Sequence, residues 1–421
     1  MSFQDIRKSR KWLSREEITV ILLLLIFLSA VLAVNIFLAR ILPGGELLYL
    51  RWSAARGFLS GQVEPYSATV AQRVQQVAYG HPAFSGEYPY VLNDPFYLVL
   101  LYTPLAFFSD FVLARGIWML CSEAALVGIM LFSINLSEWE PPRWMFVCLM
   151  SFGLLGYFSL NSLVSASPTI FLTFLYLSIL LALRSYSDEL AGGLLVLTFY
   201  QWEVGALFFL FILIFVIANK RWGVLTGFAM SLFVLLVVSF LIYPGWSLPY
   251  ARAVLSDWYR SANLTFGYIL SFWFSALSFP IERIISIALL AILFFEWIGA
   301  VQSHFRRVVW AAALSLAVTP LIGFAIFPSN HVVLLLPLVV ILTLVWERWT
   351  RSRVLASILV LALALFIPFG LYARSILFYN RLYSDLLSIL PSVAAILGLY
   401  WMRWWVVHSP RTWLDQVGIR R

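Results

Sequence analysis

From Ile18 to Leu42 the chain carries a single charge, Arg40, in a run dominated by Leu, Ile, Val, Phe and Ala. About 20 such residues cross the hydrocarbon core of a bilayer as a helix, since backbone polar groups find no other partner there. The pattern recurs along the whole chain. By it twelve spans are expected: Ile18–Leu42, Phe96–Ser109, Phe111–Asn135, Trp144–Leu160, Pro168–Leu183, Ala191–Ala218, Gly223–Tyr243, Ile284–Val301, Val308–Phe327, His331–Trp346, Val354–Ala373 and Leu386–Trp401. The second is the shortest, and Phe266–Phe279 is too short to count. Only 11% of residues are charged and 62% are hydrophobic, against roughly 25% charged in a soluble domain. The chain therefore reads as an all-α polytopic membrane protein, a bundle of about twelve helices in one domain over residues 1–421. The net charge of +8 calls for no nucleic acid, because inner loops of membrane proteins collect Lys and Arg.

Those charges orient the bundle. Arg7, Lys8, Arg10, Lys11 and Arg15 place the N-terminal segment, residues 1–17, in the cytoplasm. Lys220–Arg221, Arg306–Arg307, the Glu347–Arg353 segment and the tail, residues 402–421 with Arg403, Arg411, Arg420 and Arg421, belong on the same side. Phe266–Phe279 then stays on the outer side, in a segment spanning 244–283. The outer face also receives 43–95, Leu136–Arg143, Arg184–Glu189, Phe327–Asn330 and Arg374–Asp385. These outer segments are longer and richer in aromatics than the inner loops, as loops that carry sites tend to be. The first apolar run is too long for a cleavable leader and lacks a small-residue cleavage site.

Many chemistries are excluded by what does not occur. There is no Walker A, GxGxxG, HExxH, CxxC or GxSxG motif. His81, His304, His331 and His408 are scattered, and Cys121 and Cys148 both lie in apolar segments, so neither a histidine metal site nor a disulfide is expected. No cofactor is called for, and no carboxylate cluster makes a divalent cation essential. Polar residues at mid-span (Asn161, Gln201, Glu203) are too few to trace a transport path. Asn161 and Gln201 suit interhelical hydrogen bonds, whereas an acid such as Glu203 within an apolar run is a functional candidate or a protonated brace.

The first outer segment interrupts the apolar pattern with LPGGELLYLRWSAARGFLSGQVEPYS, Leu42 to Ser67. On a helical wheel Glu46, Tyr49, Ser53, Arg56 and Ser60 share one sector, the pattern of an interfacial helix. Arg51 falls on the apolar side and needs a partner or a snorkelling route. Glu46 suits a positive helix N-terminus. Farther on, Asp94 precedes Pro95, an arrangement that serves either an N-cap or a site.

Taken in order, these features resemble the GT-C class of membrane glycosyltransferases, and within it glycosyltransferase family 87, the polyprenyl-phosphate-mannose-dependent mannosyltransferases. The likeness rests on Glu46, Tyr49, Ala54-Ala55, Gly61 and Pro65-Tyr66; on Tyr88-Pro89-Tyr90 and Pro104-Leu105-Ala106; on Asn263-Leu264-Thr265; and on Ser329-Asn330-His331. It covers most of the first 345 residues. Glu46 stands where the family generally has aspartate, and Tyr200-Gln201-Trp202-Glu203 stands where members often carry a lysine.

The resemblance implies inverting transfer of a sugar, mannose or another hexose, from a polyprenyl-phosphate donor to a lipid or glycan acceptor. The reaction would take place on the outer face of a bacterial plasma membrane. It casts Glu46 as the base, with Asp94 second. His331, Arg252, Arg260 and Arg374 are candidates for the donor phosphate, with Arg381 behind them. Tyr49, Arg56, Tyr66, Tyr88, Asn263 and Glu203 are candidates for the acceptor pocket. A lipid-linked substrate transporter or flippase, an O-antigen ligase or polymerase type of GT-C protein, and a membrane scaffold without catalysis are the alternatives.

Overall fold

A computed structural model describes residues 15–84, 87–260 and 265–407. Arg7, Lys8, Arg10, Lys11, Arg411, Arg420 and Arg421 lie outside them. The described residues form helices with no strand. α1 (Arg15–Ile41) leads to α2 (Glu46–Leu59) and α3 (Ala68–Tyr79). The short α4 (Phe96–Val99) and α5 (Thr103–Ala106) precede α6 (Phe111–Leu136), α7 (Arg143–Leu155), α8 (Tyr157–Val164) and α9 (Thr169–Arg184). Next come α10 (Asp188–Leu197), α11 (Trp202–Ala218), α12 (Trp222–Ile242), α13 (Ser247–Arg260) and α14 (Phe266–Ser271). The last are α15 (Ser278–Val301), α16 (Phe305–Val318), α17 (Leu335–Arg348), α18 (Arg353–Phe378), α19 (Arg381–Trp401) and α20 (Arg403–Val407).

Among the described residues, eight helical segments are long and apolar enough to cross a membrane: Glu16–Ile41, Phe111–Leu136, Arg143–Val164, Trp222–Ile242, Ser278–Val301, Pro328–Arg348, Arg353–Phe378 and Arg381–Trp401. The chain is thus a helical membrane protein. Local chemistry sets several boundaries. Asp110 caps α6 by accepting the Val112 N–H at 2.9 Å, and Asn380 caps α19 through the Leu382 N–H at 2.9 Å. The centre is α16 and Pro328–Arg348, almost wholly buried, while α1, α12 and α18 show most of their surface. Small residues let helices touch where lipid offers no hydrophobic drive. A Cβ on Gly192 would lie 2.1 Å from the Val224 carbonyl oxygen, and one on Gly227 2.4 Å from that of Glu189, so α10 and α12 meet backbone to backbone.

Two sets of contacts define the ends of the bundle. At one end Arg115 reaches the carbonyls of Ala39, Leu42, Pro43 and Val164, joining the end of α1, the start of α6 and the end of α8. At the other, Arg184 pairs with Glu138 at 2.8 Å and Arg306 with Glu347 at 2.5 Å. There Trp346 also packs on Trp139 and Trp144, and His304 meets the Val406 carbonyl.

Two expected spans do not run from end to end. Phe96–Ser109 is held at both of its ends by α2: Arg51 pairs with Asp94, and Arg56 donates to the carbonyls of Ala106 and Phe108. The helical part, Phe96 to Ala106, has about half the residues that a crossing needs. Ala191–Ala218, read as one helix, breaks at Gln201 (φ −140°, ψ 89°). Its two legs fold back on each other, because Arg221 after α11 binds both Asp188, where α10 starts, and the Leu183 carbonyl. Leu136–Arg143 and Arg184–Glu189, expected beside the Glu46 segment, therefore sit at the opposite end with Lys220–Arg221, Arg306–Arg307 and Glu347–Arg353.

Surface labelling checks this pairing. Glu140→Cys, Tyr186→Cys and Lys220→Cys all place the new thiol at exposed positions. Each is made in a variant lacking Cys121 and Cys148, and each is expected to react with an impermeant maleimide from the same side of a sealed vesicle. Reaction of Tyr186→Cys and Lys220→Cys from opposite sides would undo the hairpin.

Candidate functional site

At the Arg115 end the chain turns from α1 into α2 through Pro43-Gly44-Gly45. Gly44 and Gly45 have φ of +108° and +93°, and a Cβ on Gly45 would come within 2.9 Å of Arg115 Nε. A side chain there would be strained and would press on the guanidinium. The turn delivers Glu46 to the first position of α2, where the helix N-terminus favours a negative charge. Glu46 is half-buried. Among the described residues its carboxylate makes no hydrogen bond or ion pair, though Arg115, Tyr79 and Tyr90 all feel its charge. Burial pushes the Tyr90 phenol up from its ordinary range, and the Glu46 charge pushes it further.

α2 is enclosed rather than lying in an interface. Leu48, Leu50, Arg51, Trp52, Ser53, Ala54, Ala55 and Gly57 are all buried, which takes in both sides of the expected wheel. Arg51 finds its partner in Asp94: Nε lies 2.8 Å from Oδ2 and Nη2 3.3 Å from Oδ1. Arg51 also donates to the Leu47 carbonyl at 2.9 Å and lies 4.6 Å from the centre of the Tyr200 ring. Burial alone would pull the Arg51 guanidinium down; Asp94, together with the nearby Tyr102 and Tyr88, more than offsets that and holds it above its ordinary range. Asp94 thus does not cap α4, whose N-cap is Pro95 and has no side-chain cap bond; its carboxylate is spent on Arg51, while its burial pushes it up from the ordinary carboxylate range.

Several of the other expected pocket residues are ties. Tyr49 packs on Trp52 and edge-on to Phe111. Arg56 holds the Ala106 and Phe108 carbonyls, and Tyr66 donates to the Asp94 carbonyl at 2.8 Å. Tyr88 differs. It packs against Tyr90 on one side and Phe327 on the other, so an aromatic wall runs from the surroundings of Glu46 to the start of Pro328–Arg348. Arg252 is exposed on α13, and Arg374 is exposed with its guanidinium 5.8 Å from the Tyr383 ring. Asn263 lies outside the described residues, as does the side chain of Arg260.

The break at Gln201 brings distant positions together. The Thr169 hydroxyl lies 2.9 Å from Gln201 Oε1, 3.0 Å from Asn330 Oδ1 and 2.9 Å from Ser167 Oγ, all buried. Its single proton serves one of these at a time. Glu203 sits in the first turn of α11, and with Asn330 and His331 it lines a small cavity. It is therefore at a helix start near the Arg115 end rather than in the middle of a span. His331 is 1% exposed. Its Nε2–H donates to the Ser388 carbonyl at 2.8 Å, which fixes α19 from behind instead of presenting the ring to an open site.

On the other side of Ser388 is a cleft of about 580 Å³, lined by Tyr268, Phe327, Asn380, Arg381, Ser384 and Asp385 among others. Among the described residues no three His, Cys, Asp or Glu side chains converge. Sequence reasoning did not single out Arg115, whose signal was an arginine one turn inside an apolar helix. It also missed Thr169, which looks like any span residue until Gln201 and Asn330 meet it. No family model, curated protein or solved structure matches this chain.

Proposed function

We propose that the protein is an inverting glycosyltransferase. It moves a hexose from a polyprenyl phosphate to a hydroxyl of a lipid or glycan acceptor at the Arg115 end of the bundle. That end faces away from the cytoplasm, since the opposite end carries the clustered Arg and Lys of the short connections, among them Lys220, Arg221, Arg306 and Arg307. One observation carries the reading. Glu46 is a half-buried carboxylate at a helix start with no bond of its own among the described residues, while Asp94, the second candidate, is consumed by Arg51.

The chemistry asks for little more than this. Glu46 takes the proton of the acceptor hydroxyl as its oxygen bonds to the sugar C1. On the opposite face of the ring the bond from C1 to the phosphate oxygen breaks, and the lipid phosphate leaves with the electron pair. The departing group is a stable anion and needs no acid. The Tyr90–Tyr88–Phe327 wall offers aromatic faces between the base and the cleft at Arg381.

The test is transfer itself. The purified full-length protein in lipid vesicles is given radiolabelled polyprenyl-phosphate mannose or glucose together with a membrane lipid extract. A labelled lipid or glycan product supports the reading. Movement of the intact labelled lipid between leaflets, with no new product, would replace it by a flippase.

A further inference from the structure

Glu123 is the thirteenth of the 26 residues of α6, midway along a membrane-spanning helix. At 1.5 Å per residue it lies about 18 Å from either end of that helix. An ionised carboxylate at such a depth is costly unless it is paired or faces water. Only one of its oxygens is served: Asn35 on α1 donates to Glu123 Oε2 at 3.1 Å. The other, Oε1, has no partner among the described residues and is not enclosed by protein, Glu123 being only part-buried.

The opening beside it is made by α1. Near Arg115 the two helices touch closely: a Cβ on Gly116 would lie 3.2 Å from the Ile36 backbone, and Asn35 and Ala39 are buried. Toward the cytoplasmic end the contact is lost. Every one of residues 20–30 is exposed, whereas a helix lying along a neighbour buries one residue in every three or four. On α6, Val127 and Leu131, one and two turns beyond Glu123, are exposed as well. α1 and α6 therefore bound a wedge that widens toward the cytoplasmic end, with the Glu123 carboxylate at its apex. Lipid tails can fill the apolar part of such a wedge, but they offer nothing to Oε1.

The fitting occupant is long, apolar and cationic at one point. A second copy of this chain does not qualify. In the eight spanning segments every Arg, Lys and His lies among the first six or the last six residues, so none brings a positive charge to the depth of Glu123. We propose that the wedge docks the transmembrane helix of a different membrane protein, one that carries a lysine or arginine near the middle of its span. Its cation pairs with Glu123 Oε1, and its apolar faces lie between residues 20–30 of α1 and Val127 and Leu131 of α6. Asn35 holds the carboxylate in place from the other oxygen. The docking is separate from the chemistry at Glu46, which lies at the Arg115 end.

The purified full-length protein in phosphatidylcholine vesicles is mixed with a synthetic single-span peptide of about 24 leucine and alanine residues, with one central lysine and a dansyl group. Energy transfer from the protein's tryptophans to the dansyl group reads association. Saturable transfer is expected, with a peptide carrying leucine at its centre at least about tenfold weaker, the worth of a charge-assisted hydrogen bond. Glu123→Gln should lose that preference, and Glu123→Lys should pass it to a peptide with a central glutamate. The comparison of the two peptides on the wild-type protein stands even if neither variant folds. Equal association of the lysine and leucine peptides would leave only an apolar surface and overturns the proposal. So does a lysine preference that survives in Glu123→Gln. Self-association of the wild-type protein that is lost in Glu123→Gln and indifferent to the lysine peptide would put a second copy in the wedge, and also overturns it.

Discussion

Arg51→Met is expected to destabilise the protein by about 3–5 kcal/mol, because it strands the Asp94 carboxylate where water cannot reach it. The two side chains are 4% and 1% exposed, so solvent screening offers little relief. Asp94→Asn should cost less, since the neutral amide still accepts a hydrogen bond from Arg51, although the guanidinium then lacks its counter-charge. The double variant Arg51→Met/Asp94→Asn removes both charges and is expected to recover much of the loss. Melting of the purified protein followed by tryptophan fluorescence, run as a double-mutant cycle, reads the coupling directly. Additive effects of the two single changes would mean that the pair is no pair. The consequences would extend beyond local stability, because Asp94 also fixes Tyr66 through its carbonyl, and Arg51 lies over Tyr200 beside the break at Gln201.

The second large effect is on turnover. Glu46→Gln keeps the size and the helix start but abolishes the base, and transfer is expected to fall by about 10²–10⁴-fold, the usual contribution of a positioned general base. Melting should change little, since among the described residues no hydrogen bond or ion pair ends on the Glu46 carboxylate, although its charge is felt at Arg115. Glu46→Asp shortens the reach by one methylene and should retain measurable transfer, because the chemistry is that of a carboxylate whichever residue supplies it. Wild-type transfer by Glu46→Gln in the vesicle assay would remove Glu46 from the reaction.

How legible the molecule was in its sequence depended on how far apart the deciding residues lie. The long helices were readable because hydrophobic length is a local property; α6, α12 and α18 stand close to where the apolar runs put them. Connectivity was not. Phe96–Ser109 was counted as a crossing although it stays at one end, and Ala191–Ala218 was counted as one crossing although it folds back. The first miscount exchanged the ends assigned to everything after it, and the second restored them, so the segments from Lys220 onward kept their expected grouping while Leu136–Arg143 and Arg184–Glu189 did not. Hydropathy cannot see either case. An eleven-residue apolar helix and a break at a single Gln201 change composition little, and only contacts such as Arg56 with Phe108 or Arg221 with Asp188 reveal the direction of the chain.

At the candidate site the same division holds. The wheel assigned α2 one wet face and one dry face, but a helix roofed by α5 and the 105–108 turn has little wet face left, which a wheel cannot anticipate. Glu46 was legible because its position, just after an apolar run and two glycines, is itself local information. The demand of Arg51 for a partner was legible as well; which acid answered it was not, since Asp94 lies 43 residues away.

The arginine at position 115 has a consequence for the order in which the molecule can be made. Three of the carbonyls it holds, on Ala39, Leu42 and Pro43, leave the ribosome more than 70 residues before it does, and the fourth, on Val164, follows 49 residues later. The end of α1 and the Gly44-Gly45 turn therefore cannot take their final form when first inserted. They wait for α6 to enter beside them, and the set of four bonds closes only with the end of α8. Glu46, which hangs from that turn, acquires its position late in synthesis, although it stands near the beginning of the chain.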